Sequence, residues 1–405
     1  MQKKLVYLLA EFPEHTQTFV RDEINEMIKN NVNVTVVAQR CGKDYKPNDN
    51  HSEWTSAEIT YLTGYFSKYK VLGYILKNLI HSPLRLLSTF ILFKRYVSPT
   101  LSYGFPYVLH AVHIINKIQP DHIHVHFAFR AAELAVFVSR LSGIPFSVTA
   151  HANDIFTHPV NIEFKFNYAK FIVAISNFGK EYICNTLVKN KPLICNKIHL
   201  IHCGIDPVII NENTGRISKE KLSILSVGRL VEKKGMEFLI RACHELVCKG
   251  MNEFKCTIIG DGPLLDNLLK LRDELGLQDY VDLAGTRPHS EIIGLLASTD
   301  IFVLACIKTK DNDMDGIPVS LMEAMALSVP VISTSISGIA ELIYDGGYLC
   351  KTGDVRDLAD KMECLYNMNI AERKLLGEKG KNIILSDFNR KKEVAKLSNL
   401  IFGTH

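Results

Sequence analysis

Short apolar runs alternate with amphipathic stretches along the whole chain. Leu5–Leu9 reads as a strand. The stretch after it carries Val20, Ile24, Met27 and Ile28 at helical spacing, with Thr18 placed to cap the helix. Val32–Ala38 is a second strand-like run. Further strand candidates are His122–Phe127, Phe146–Ala150, Phe171–Ile175, Ile198–His202, Leu222–Val227, Cys256–Ile259, Val281–Leu283, Ile301–Leu304 and Val329–Ser333. Most lead into helical patterns of roughly ten to fifteen residues, a rhythm that predicts parallel sheets covered on both faces. The polar segment 211–221 (NENTGRISKEK) breaks the rhythm and reads as a linker. The expected organisation is a first domain over 1–210, a second over 222–387, and an amphipathic helix within 388–405 that crosses back to the first. The fold class is α/β, with two doubly wound, Rossmann-like domains facing a cleft and ligands held at the carboxyl ends of the strands.

Composition narrows the class. The chain has 405 residues, 47% hydrophobic and 22% charged, which is ordinary for a globular protein and excludes a disordered chain, a collagen-like fibre and a disulfide miniprotein. Ten cysteines without a CxxC pair point to reduced thiols, not to a zinc ribbon or a thioredoxin-type centre. The apolar run after Met1-Gln2-Lys3-Lys4 stops at Glu11, too short for a secretory signal, and no run has the length and composition of a spanning helix. A cytoplasmic protein is expected.

Charge is uneven. Residues 1–210 hold 22 Lys and Arg against 15 Asp and Glu, whereas 211–405 hold 25 against 28. The stretch from Ile59 to Pro120 has no acid and seven Lys or Arg. It contains the apolar stripe Val71, Leu72, Ile75, Leu76, Leu79 and Ile80, with Lys68, Lys70, Lys77, Arg85, Lys94 and Arg95 around it and its successor. One reading is a basic amphipathic segment, 68–95, lying on the anionic inner face of the plasma membrane; the other is a core stripe with a basic solvent face. Nucleic acid is not an expected partner, because no binding motif or Arg-rich run accompanies the charge.

Three places carry candidate chemistry. After Leu222–Val227, the sequence Gly228-Arg229-Leu230-Val231-Glu232-Lys233-Lys234-Gly235 delivers Arg229 and Lys234 beside glycines at a strand end. That suits a diphosphate, or else is a solvated loop. Gly260-Asp261-Gly262-Pro263 begins like a dinucleotide fingerprint, but Leu265 stands at the sixth position, so it reads as a turn. The stretch from Asp315 to Ala326 places Pro318 in the first turn of a helix. Asp315 then lies before the helix and Glu323 inside it, the intervening rise being roughly 7.5 Å. The free first-turn N–H groups face an anion, and the two acids flank them as a nucleotide sugar would require; a capped amphipathic helix is the competing reading.

In the first half, His122, His124 and His126 share one face of a strand. A zinc site is compatible with them; the alternative has His126 lining the cleft and the others in the core. His151-Ala152-Asn153-Asp154 follows another strand end.

The ordered motifs SVGRLVEKKG, IIGDGP, VDLAGTRP, ASTDIFVL, DGIPVSLMEAMALSVPVIST and SGIAELI resemble the donor-binding half of the family-4 retaining glycosyltransferases, which have the GT-B fold. LLAEFPEHTQTFVRDEI, DHIHVHFA, TAHANDIF and AISNFGKEYI are similar to the acceptor domain of its bacterial polysaccharide-assembly members (exopolysaccharide, lipopolysaccharide, capsule and colanic-acid types). The resemblance implies a nucleotide-diphosphate sugar as co-substrate, a lipid-linked glycan acceptor, retention of configuration, and neither cofactor nor metal. It places Arg229 and Lys234 on the diphosphate, Glu323 on the ribose, and Asp315 with the backbone of Gly316 and Ile317 on the sugar. His151 approaches the transferred sugar, and His126 and Asp154 line the acceptor side. The chain departs from the family by having Asp315 where a Glu is usual, and its expected contact is with the sugar and not the nucleotide. A nucleotide-sugar epimerase of the same fold and a non-catalytic binding subunit are the alternatives.

Overall fold

The computed structural model describes residues 2–14, 17–43, 45, 54–62, 73, 82–97, 104–206 and 221–403. The chain divides into two compact units. One comprises Met1–Ile175, Gly179–Ile201 and Lys391–His405; the other comprises Ser176–Phe178 and His202–Arg390. Most of the expected linker, 211–220, lies outside the described residues, as do Lys68, Lys70, Lys77 and the apolar stripe 71–80.

The first unit is built on seven parallel strands: β1 (Lys4–Glu11), β2 (Asn33–Arg40), β3 (Glu58–Tyr61), β4 (His122–His126), β5 (Phe146–Ala150), β6 (Phe171–Ala174) and β7 (Ile198–Leu200), in the order β3-β2-β1-β4-β5-β6-β7. Every residue of β4, β5 and β6 is buried. Strands covered on both faces have no polar side to show, so they read as continuous apolar runs. The helix Arg390–Phe402 returns to this unit, seating Val394, Leu397 and Ile401 among Leu5, Tyr7, Val34 and Val36.

The second unit has six parallel strands: β8 (Leu222–Val227), β9 (Phe254–Ile259), β10 (Val281–Leu283), β11 (Ile301–Leu304), β12 (Val331–Thr334) and β13 (Gly347–Cys350), in the order β10-β9-β8-β11-β12-β13. Both sheets therefore follow one plan. The second and third strands are laid outward from the first, and the fourth returns to the first strand's other side. That reversal opens a crevice at the carboxyl ends of β1 and β4 in one unit and of β8 and β11 in the other.

Several local expectations shift. Thr18 is the first residue of the helix Thr18–Lys29, not its cap; Gln17 precedes it without a side-chain capping bond. Pro318 occupies the cap position before the helix Val319–Ala326. The strand expected from Val329 begins at Val331, after Pro330, which has no N–H to give to a ladder. β3 and β13 are edge strands absent from the sequence reading. Their residues are mostly half-buried, so their apolar signal is weak.

The long helix Ile370–Asp387 opens with a reciprocal capping box between Asn369 and Glu372. It lies directly on backbone: a Cβ at Gly377 would stand 2.0 Å from the carbonyl oxygen of Ser328, and one at Gly346 2.5 Å from Cα of Gly380. Gly377→Ala should lower stability by about 1–3 kcal/mol through overpacking. Urea unfolding checks this, and an unchanged midpoint would show that the helix is free to move away.

Candidate functional site

In the second unit the crevice at β8 and β11 is packed backbone to backbone. Gly235 has φ +64°, and a Cβ there would come within 1.8 Å of the Ala305 carbonyl oxygen, just past β11. This close approach presses the short helical turn Glu232–Lys234 against the strand end. Gly228, at the end of β8, leaves room for the Lys234 stem, whose Cδ and Cε would lie 3.4 Å from a Cβ there.

Lys234 Nζ sits 2.6 Å from Asp315 Oδ2. Lys233 Nζ lies 3.0 Å from Asp313 Oδ1 and 3.6 Å from Asp315 Oδ1, and the Cys306 thiol donates to Asp315 Oδ2 at 3.6 Å. The backbone beneath is fixed by Ser337, whose hydroxyl donates to the carbonyls of Asp315 and Gly316. Burial by itself would raise the Asp315 pKa, but Lys234 and then Lys233 outweigh it and hold the carboxyl below its ordinary value. For Lys234, burial pulls the ammonium down and Asp315 more than reverses this. Burial, followed by the Asp315 charge, pushes the Cys306 thiol well up, so it remains protonated and able to donate.

Glu323 is the fifth residue of the helix Val319–Ala326 and is buried, its Oε1 2.7 Å from His289 Nε2. Ser320 donates to the Val227 carbonyl at 3.0 Å, tying the helix tip to the end of β8. Arg229 is exposed at the same strand end. Gly260-Asp261-Gly262 is a loop leading into a turn at 263–264: a Cβ at Gly260 would meet the Gly228 carbonyl oxygen at 2.0 Å, so its glycines serve this packing. Asp315, expected on the sugar, and Lys234, expected on the diphosphate, are paired with each other. The turn Glu232–Lys234 folds over 313–315, so the two expected roles converge on one ion pair.

In the first unit, His122, His124 and His126 are all buried and face β5. Ser147 Oγ lies 2.7 Å from both His122 Nε2 and His124 Nδ1, and Thr149 Oγ1 is 3.0 Å from His124 Nε2. His126 Nδ1 is 3.1 Å from His151 Nε2, and its Nε2 is 3.0 Å from Glu23 Oε1, which also accepts from the Tyr7 hydroxyl at 2.8 Å. Burial lowers His122 and His124 to about 3, so these rings are neutral. For Glu23, burial pushes upward, but His126, His124 and Tyr7 bring it to about 2. Glu23, His124 and His126 offer ligand atoms within 4.8 Å of one another, close enough for a metal ion. Both nitrogens of His124 are already engaged by Ser147 and Thr149, so a cation would have to displace a hydroxyl.

His126 lines a cavity of about 240 Å³ with Leu9, Gln17, Phe127, Phe129 and Asn153. Asp154 does not line it, contrary to expectation. It is fully buried, and its two oxygens accept from the backbone N–H groups of Ala128, at 2.5 Å, and His151, at 3.0 Å. It braces the loop that carries His151, and burial raises its pKa to about 7 despite those bonds.

The sequence reading missed Glu23, His289, Cys306, Lys233 and Asp313. Glu23 left a trace, since it falls on the helix face of Val20, Ile24 and Met27. His289 left none.

With this geometry in hand, comparison with known proteins gives the family. A family model described as Glycosyl transferases group 1 matches residues 209–383, and one described as Glycosyltransferase Family 4 matches residues 16–208. Between them they take in nearly the whole chain, which belongs to the glycosyltransferases built from these two halves. The chain is 26% identical to the WcaL glycosyltransferase assigned to colanic acid biosynthesis in Escherichia coli, over 98% of this chain and 99% of that one. It is 43% identical to the amylovoran biosynthesis glycosyltransferase AmsK of Erwinia amylovora, over 40% of each. The fold matches that of a glycosyltransferase from Rickettsia africae, with TM-score 0.74 and 16% identity over 99% of this chain and 98% of that one. It also matches HepE of Anabaena, solved with UDP, with TM-score 0.74 and 15% identity over 99% and 100%.

The Asp315 pair makes a pH prediction. A depressed carboxyl contributes stability that is complete above its ordinary value, near 3.8, and is lost as pH falls through its lower folded value. Asp315→Asn should therefore cost about 1–3 kcal/mol at neutral pH. The gap from wild type, followed by urea unfolding, should be constant from about pH 5 to 8 and narrow below the ordinary carboxylate range. A constant gap into acid would remove the ion pair as its source.

Proposed function

We propose that this glycosyltransferase moves a sugar from a nucleotide-diphosphate donor to a lipid-linked glycan during assembly of a cell-surface polysaccharide, with retention at the anomeric carbon and without a metal ion. The observation that carries this reading is the Lys234–Asp315 pair at the carboxyl ends of β8 and β11, beside the tip of the helix Val319–Ala326. In the reading, Lys234, Arg229 and the first-turn N–H groups hold the diphosphate. They stabilise the charge that builds as it leaves, work that metal ions perform elsewhere. Glu323 takes the ribose hydroxyls, and Asp315 with the backbone of Gly316 and Ile317 takes the sugar. The names of the relatives support the pathway class: colanic acid and amylovoran biosynthesis, and, for a Bacillus subtilis relative 27% identical over 56% of each chain, teichuronic acid biosynthesis.

Contact with the membrane surface belongs to the same proposal. No helix among the described residues is long and apolar enough to cross a membrane. The helix Pro83–Tyr96, however, exposes Leu84, Leu87 and Ile91 at 82%, 58% and 60%, a stripe at helical spacing with Lys94 and Arg95 in its last turn. Apolar side chains ringed by Lys and Arg suit the headgroup region of anionic lipid.

Two measurements test these readings. Lys234→Ala should weaken binding of the cognate nucleoside diphosphate by roughly 10- to 150-fold, the equivalent of a charged hydrogen bond of about 1.5–3 kcal/mol, and slow transfer further. Unchanged affinity in the folded variant would sink the diphosphate assignment, and transfer abolished by EDTA and restored by a divalent ion would sink the metal-free one. For the membrane, the protein should sediment with vesicles containing anionic phospholipid and be released as salt rises. Changing Lys94 and Arg95 to Gln should reduce that binding while nucleotide affinity stays the same. Equal binding to neutral and anionic vesicles would count against it.

A further inference from the structure

Glu23, His126 and His151 form one continuous hydrogen-bonded chain, half-buried at Glu23 and buried at the two rings, and its chemistry fixes a direction. An ionised carboxylate can only accept, so the ring nitrogen facing Glu23 Oε1 at 3.0 Å, His126 Nε2, must carry a proton. With His126 as a neutral ring, its Nδ1 is then a bare acceptor. The nitrogen 3.1 Å away, His151 Nε2, must supply the proton between them. That leaves His151 with its proton turned inward and Nδ1 as an acceptor.

We propose that Glu23, acting through His126, is a positioning residue that holds His151 in the Nε2–H tautomer, so that His151 presents Nδ1 as a hydrogen-bond acceptor to a ligand hydroxyl.

The surroundings leave the rings little freedom. His151 is held at its backbone N–H by Asp154 at 3.0 Å. Its ring stacks on His126, with centroids 5.3 Å apart and planes at 28°, and contacts Phe127 and Phe19 at 4.4 and 5.0 Å. Tyr7, from β1, donates its hydroxyl to Glu23 and stacks on His126 at 5.9 Å, orienting both at once. His124 has its own partners in Ser147 and Thr149. It stands edge-on to His126 at 5.2 Å, and its Nε2 lies 3.7 Å from Glu23 Oε1, beyond hydrogen-bond distance. Setting the tautomer of a functional imidazole through a hydrogen bond on its far nitrogen is an established use of a buried carboxylate. Here a second imidazole relays the effect. The substrate contact rests on the glycosyl-transfer reading above, whereas the chain itself does not.

The test needs no substrate. In the full-length protein labelled with 15N-histidine at pH 8, above the ordinary imidazole range, two-bond proton–nitrogen correlations should place the proton on Nε2 of both His126 and His151. A nitrogen–nitrogen coupling across the hydrogen bond should link His151 Nε2 to His126 Nδ1. Glu23→Ala should abolish the downfield Nε2–H signal of His126 and weaken that coupling, while Glu23→Gln, which keeps an acceptor oxygen, should restore both. A wild-type spectrum with the proton on His151 Nδ1, a doubly protonated His126, or a bound zinc whose removal changes these rings would each overturn the proposal. So would signals unchanged in Glu23→Ala. If that variant does not fold, the wild-type spectrum alone decides the direction. Since the readout is taken without donor or acceptor, its failure and a failure of glycosyl transfer are separate results.

Discussion

A carboxylate taken out of water must be given partners at once, and in the second unit that requirement organises the crevice around Asp315. Removing such a group from solvent costs several kcal/mol unless opposite charge and hydrogen bonds replace the water. Two lysines, a protonated thiol and a Ser337-anchored backbone meet the requirement. Each of these has its own geometric condition. Lys234 reaches the acid because the turn Glu232–Lys234 is pressed onto β11, and that contact exists because position 235 has no Cβ. The thiol of Cys306 arrives because β11 ends two residues earlier.

The first unit faces the same physics with a different answer. Glu23 is half-buried, and among the described residues its charged and polar partners include no lysine. A tyrosine hydroxyl and an imidazole N–H take that place, and rings held neutral by burial surround them. One acid is met by two lysines, the other by a tyrosine hydroxyl and an imidazole. The first arrangement favours exchange with an incoming anion, the second a fixed pattern of donors and acceptors.

How much of this was legible in the chain follows from the range of each signal. Strands buried on both faces, such as β5 and β11, showed as apolar runs, and glycines, lysines and acids at strand ends marked the second crevice. The half-exposed edges β3 and β13 did not show, because a mixed four-residue segment has no period to read. Side-chain partnerships across long sequence separations were also hidden. Glu323 stood out from its local pattern, but its partner His289, 34 residues earlier, did not. Asp154 misled for a related reason. A polar residue just past a strand end looks like a ligand, and only its two backbone donors reveal that it faces inward.

The Lys234–Asp315 contact also bears on selectivity. A lysine exposed at a strand end would attract any small anion in the cell, inorganic phosphate and sulfate included. Lys234 instead carries its own counterion, covalently tethered 2.6 Å away and present at an effective concentration that no dilute anion can match. A lone phosphate offers little beyond what Asp315 already gives. A ligand that displaces or shares this counterion must bring further contacts of its own. In the proposed reading the intramolecular pair acts as a threshold, disfavouring simple ions relative to larger molecules that engage several groups together.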